Sequence, residues 1–140
     1  MTIIDEIFLA TYRGPGACWI CGKGCSRREP HHVIAKGMGG GRRLDIAINL
    51  VCVGSTLDMQ CECHGKADSA EGKELCLKVL GNRFGVEAAV IVDVCSFILA
   101  LDKHASPDAI RDAIAANWRP DSPRSVLAVE TLQAAGKIGA

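Results

Sequence analysis

Two cysteines spaced two residues apart in front of a glycine, Cys18-Trp19-Ile20-Cys21-Gly22, constrain this chain more than any other segment. Thiols at that spacing can point at one metal ion from a tight turn, and the glycine relieves the backbone there. The chain has eight cysteines in 140 residues, so disulfides compete with metal for them. Four disulfides would suit a small secreted domain short of core. Here 49% of residues are hydrophobic, enough to build a core without covalent staples. Met1 to Gly14 carries Asp5 and Glu6 and no long apolar run, unlike a signal peptide. The expectation is a thiol metal site in a reducing compartment, in a soluble cytoplasmic protein. The most apolar stretch, Val86 to Leu101, contains Glu87 and Asp93. It reads as a buried helix and not a membrane span.

Four thiolates close a tetrahedral structural zinc site. Thirty residues separate Cys21 from Cys52, and ten separate Cys52 from Cys63. Cys63 opens a helical pattern, and a helix N-terminus favours a thiolate. Cys18, Cys21, Cys52 and Cys63 are therefore the expected ligands. Cys61 is the rival in the second pair, disfavoured because a C-x-C pair on one ion is cramped. Cys25 is a weaker candidate, and Cys76 and Cys95 read as small core residues.

Hydrophobic periodicity predicts a helix over residues 2–12 with Ile3, Ile4, Ile7 and Phe8 at helical spacing, strands at His32–Ala35 and Asn49–Val53, and a helical pattern from Cys63 in which Gly81 closes that helix or a successor. Further helices are expected at Val86–Leu101, at Pro107–Trp118 with Ser106 as N-cap, and, after Pro120 and Pro123 break the chain, at Ser125–Ala135. This is an α+β chain with an N-terminal helix (1–16), a strand–loop–strand–helix centre (17–85) and a helical region (86–140). That last region either packs on the centre or offers a homodimer face.

Three of the four histidines lie in the centre. His31 and His32 are neighbours at a strand end, and His64 follows Cys63 at a helix start. One histidine as metal ligand and one as general base is a sensible division, because imidazole titrates near neutral pH. Asp68, four residues after His64, falls on the same helix face. One histidine of the 31–32 pair, with His64 and Asp68, would suit a divalent ion that polarises a phosphoryl oxygen. Asn49, just before an apolar strand, fits a side-chain amide that ties two loop segments together and keeps His32 oriented.

Net charge is zero, yet Arg13 to Arg43 holds seven basic residues and one acid, Glu29. Arg27, Arg28, Lys36, Arg42 and Arg43 are the expected contacts to a phosphate backbone.

Cys18-x-x-Cys21, His31-His32, Gly37-Met38-Gly39-Gly40, Asn49-Leu50-Val51 and Cys63-His64-Gly65 together resemble the HNH endonucleases, and more narrowly the small zinc-bearing HNH proteins of bacteriophages and prophages. The resemblance spans about residues 17 to 70. It implies a ββα-metal, or His-Me, finger beside the zinc. His32 would be the general base, His31 and His64 the ligands of one catalytic cation (Mg, Mn, Ni or Zn), Asn49 the clamp and Asp68 a third ligand or supporting acid. Two departures are visible. His31 stands where the family often carries Asp, which favours Mn, Ni or Zn over Mg. Cys61-Glu62-Cys63-His64 replaces the usual C-x-x-C before the histidine. The expected function is hydrolysis of DNA phosphodiester bonds, with phage packaging or processing proteins as candidate partners. The alternative is a zinc-stabilised nucleic-acid-binding module without catalysis.

Overall fold

The computed structural model describes residues 1–34, 42–55, 61 and 63–140, without the side chain of His64. In chain order come α1 (Glu6–Ala10), β1 (Gly16–Ala17), β2 (Gly24–Cys25), β3 (Arg28–His32), a 3₁₀ turn (Ala47–Asn49), β4 (Leu50–Gly54), α2 (Cys63–Ala67), α3 (Ala70–Phe84), α4 (Ala88–Ala100), α5 (Pro107–Asn117) and α6 (Pro123–Ala134). The described residues are thus α+β, with two small antiparallel pairs, β1–β2 and β3–β4, and a run of helices.

Every residue of β4 is buried, because both of its faces are covered. Val51 and Val53 turn into the large core shared with the helices, whereas Leu50 and Cys52 turn to Leu9 and Tyr12 on the α1 side. Alternation with period two imposes this division. Burial on both sides explains why Asn49-Leu50-Val51-Cys52-Val53 reads as a continuous apolar run.

The first strand lies earlier than periodicity predicted. β3 ends at His32, with His31 opposite Val51 and His32 opposite Leu50. The predicted helix over 2–12 shrinks to Glu6–Ala10. Asp5 caps it, its Oδ1 accepting from the Phe8 N–H at 2.9 Å. Ahead of it the chain is extended, with Ile3 bridged to Leu44. Ile7, counted into the apolar face of that helix, is 85% exposed.

The later helices begin at side-chain caps. Ser69, Ser106 and Ser122 each accept an N–H from the first turn of α3, α5 and α6. Such caps contribute about 1 kcal/mol each. Pro123 opens α6 at its first position and does not break the chain, so α6 starts two residues before Ser125. Gly81 does not end α3. The terminator is Gly85, left-handed at φ +66°.

α4 packs against α3, α6 and the 3₁₀ turn, burying Val90, Ile91, Val94, Cys95 and Ile98. One cluster of buried residues runs from Ile3 to Ile138. Residues on both sides of positions 16 and 85 contribute to it. The apolar run from Val86 packs on the centre and contributes to that shared core. Among the described residues no helix is long and apolar enough to cross a membrane.

α2 and α3 meet at Gly72, where a Cβ would lie 2.1 Å from the Lys66 carbonyl oxygen. That contact is with backbone, which cannot swing aside. Gly72→Ala is expected to destabilise the fold by about 1–3 kcal/mol, read as a lower urea midpoint. Gly65→Ala, whose Cβ would meet nothing within 4 Å among the described residues, is the matched control.

Candidate metal centre and hairpin site

β1 and β2 form the arms of a knuckle whose tip carries Cys18 and Cys21. The Cys18 N–H donates to Lys23 O and the Gly22 N–H donates to Cys18 O, both at 2.9 Å. Gly22 adopts φ +75°, the left-handed conformation that closes this turn. The Trp19 N–H donates to Cys52 O at 2.9 Å and docks the knuckle on β4.

The sulfurs of Cys18, Cys21, Cys61 and Cys63 all lie within 4.8 Å of one another. Cys21 and Cys61 are 3.5 Å apart. Zinc–sulfur bonds of about 2.3 Å in a tetrahedron place sulfurs roughly 3.8 Å apart, so these four could hold a metal ion such as zinc. The expected ligand Cys52 is not among them. Its thiol donates to Tyr12 O at 2.9 Å, on the α1 face of β4. The strand pleat turns its sulfur away from those of Cys18 and Cys21, and Cys61 takes its place. At Gly54 an added Cβ would stand 2.7 Å from the Cys61 sulfur and 2.8 Å from that of Cys25. The glycine is what admits Cys61 to the cluster.

The thiols are electrostatically unequal. Burial pushes Cys18 upward, but the backbone amides of Cys21, Gly54 and Ile20, with the Cys61 thiol, outweigh it and bring its pKa down to about 7. Cys63 is pushed far up, first by burial and then by its three sulfur neighbours. A divalent cation relieves that crowding of like charge, since thiolate is the ligating form. Cys76 and Cys95 behave as core residues, their pKa values raised by burial to about 11 and about 12.

Asn49 is fully buried. Its Oδ1 accepts from the Ile34 N–H at 2.8 Å, and its Nδ2 donates to Ile34 O and Leu44 O, each at 3.0 Å. One side chain thus joins the end of β3 to the segment entering the 3₁₀ turn, across the glycine-rich stretch between them.

The neighbouring histidines face apart. His31 Nδ1 lies 3.9 Å from Asp68 Oδ1, in the residue that follows α2. His32 turns to the α1 side, where Nε2 sits 2.7 Å from Asp45 Oδ1. Asp45 did not stand out in the sequence. The available signal was an acid enclosed by Leu44 and Ile46, a flag for a buried charge. Its Oδ1 also accepts from Arg43 Nε at 2.8 Å, and its Oδ2 accepts from Arg43 Nη2 at 2.8 Å and from the Asp5 N–H at 2.7 Å. Burial alone would raise the Asp45 pKa, but these donors, Arg43 foremost, hold it below the usual carboxylate value. An ionised carboxylate can only accept, so His32 Nε2 carries the proton and Nδ1 is the nitrogen able to take one. His32 also lines a polar hollow of about 290 Å³ with Arg13, Arg43, Glu6 and Glu29.

Arg43, one of the expected DNA contacts, is engaged by Asp45 and by Glu6, 2.7 Å from its Nη2. Arg28 donates to Gly14 O and Ala17 O, and Arg27 and Arg42 are exposed. Lys36 and the imidazole of His64 lie outside the described residues. No family model, curated protein or solved structure matches the chain.

Proposed function

We propose that this chain is a metal-dependent endonuclease of the HNH type, hydrolysing DNA phosphodiester bonds beside a structural zinc held by Cys18, Cys21, Cys61 and Cys63. The carrying observation is the Asn49 clamp on an antiparallel pair whose first strand brings His31 to 3.9 Å from Asp68, just past the helix that begins at Cys63. In this reading His31, His64 and Asp68 hold one divalent ion (Mg, Mn, Ni or Zn), which polarises a phosphoryl oxygen and supports the leaving oxygen. His32 is the general base through Nδ1, and Asp45 is its positioning residue. Arg27, Lys36 and Arg42 steer the backbone without reading sequence.

A second reading, a zinc-stabilised nucleic-acid-binding module, is favoured by one fact. The His32 side chain is only 3% exposed, as a structural histidine would be. Nicking of supercoiled plasmid across the four ions decides between the two. His32→Ala should keep bound zinc and fold but lose about 100-fold in nicking rate, the low end for a general base. His31→Ala should instead raise the ion concentration needed for half-maximal rate. A zinc-loaded protein that shifts DNA yet nicks with none of the ions establishes the module.

A further inference from the structure

Arg28 and Arg83 line a hollow of about 250 Å³ together with Phe8, Tyr12, Trp19 and Cys52, and among the described residues no carboxylate lines it. Both guanidinium groups are near enough to the Cys52 thiol to draw its pKa down, against the larger upward push of burial.

Each guanidinium is held in advance. Arg28 donates from Nε to Gly14 O at 3.2 Å and from Nη1 to Ala17 O at 3.3 Å. It lies flat on Gly16, where an added Cβ would be 2.7 Å from its Cζ. Two of its five N–H groups serve those carbonyls, which leaves three uncommitted among the described residues. Arg83 lies over the Trp19 ring, its Cζ 3.6 Å from the centroid. Trp19 packs against Tyr12, and Tyr12 against Phe8, at 5.6 and 5.4 Å between centroids. Two like charges immobilised around one hollow repel each other. Their rotamer freedom is already spent, so an anion entering between them meets little ordering cost and gains charge-assisted hydrogen bonds.

We propose that this hollow receives a backbone phosphate of DNA. The inference rests on the nucleic-acid reading above and adds to it a contact on the knuckle side of the hairpin. Arg28 and His32 share a face of β3 four residues apart, roughly 13 Å at strand rise. A phosphate held at Arg28 therefore lies about four base-pair rises, at 3.4 Å each, from the His32 ring. Trp19 sits between Cys18 and Cys21, so the thiol cluster sets the platform under Arg83.

The test uses zinc-loaded protein carrying Trp118→Phe, so that Trp19 is the sole indole of the two in the chain. Trp118 packs against Phe97, outside the hollow. A short duplex, added without further divalent ion so that no cleavage occurs, should change Trp19 emission. Arg83→Gln, at an exposed position, and Arg28→Gln should each weaken binding roughly tenfold at low salt. Each should also lower the slope of log affinity against log salt by about one. Lys78→Gln, exposed on the same helix, should leave both unchanged. Wild-type affinity and slope in the two arginine variants, or an equal loss in Lys78→Gln, overturns the phosphate site while the nuclease reading stands. Absence of DNA binding by the parent protein overturns both.

Discussion

Cys61→Ser is expected to release the metal ion, whereas Cys52→Ser keeps one ion per chain. The two cysteines belong to opposite sides of one strand's packing. The Cys61 sulfur sits with those of Cys18, Cys21 and Cys63, and Cys52 is spent on the Tyr12 carbonyl. Structural zinc contributes on the order of 10–16 kcal/mol to small finger peptides that have no other core. This chain has a large apolar core, so the loss should be confined to the knuckle, with the helices from Ala70 onward still folded. Elemental analysis of the purified variants, with near-ultraviolet dichroism reporting Trp19, measures both effects. Retained zinc in Cys61→Ser, with loss in Cys52→Ser, would restore the ligand set first read from spacing.

Asp45→Ala is expected to cost about 3–5 kcal/mol, the range for removing one partner from a buried ion pair. The Asp45 side chain is 0% exposed and that of Arg43 19%, so a guanidinium and the His32 N–H would be left facing apolar surroundings. Glu6 still neutralises Arg43 from the solvent side but cannot reach into the vacated place, since its own side chain is 66% exposed. Adding Arg43→Met to Asp45→Ala should recover part of the loss, and a double-mutant cycle on urea midpoints measures the coupling. The pH dependence follows from the lowered folded-state pKa of Asp45. Its contribution is complete above the unfolded carboxyl value near pH 4 and fades as pH falls through the lower folded value. Wild type should therefore lose stability on going from pH 5 toward pH 2 faster than Asp45→Asn does. Parallel acid curves for the two would mean that the carboxylate is not held ionised by its donors.

The site is legible in the residues where a local rule decides. A C-x-x-C followed by glycine can only make one kind of turn. Serine ahead of proline marked the start of α5, at Ser106 before Pro107, whereas the same pair at Ser122-Pro123 opens α6 two residues ahead of the helix expected from Ser125. The strand position failed because Arg28-Glu29-Pro30 carries no apolar alternation. Its pairing is set by β4 and by the knuckle, not by its own pattern. Asp45 was passed over for a related reason. Its meaning comes from Arg43, His32 and the Asp5 amide, which converge on it from three segments.

The amino-acid sequence by itself determined that the chain builds a thiol knuckle, an α+β core and helices with serine caps, because each follows from neighbours a few residues apart. Tertiary structure alone decided that Cys61 and not Cys52 joins the knuckle, that His31 and His32 look to opposite sides, and that Arg43 serves a buried carboxylate. Each of those outcomes depends on which face of a two-sided strand meets which layer. A pleat reverses direction at every residue, so a shift of one position in pairing exchanges the two faces, and only the assembled packing selects between them.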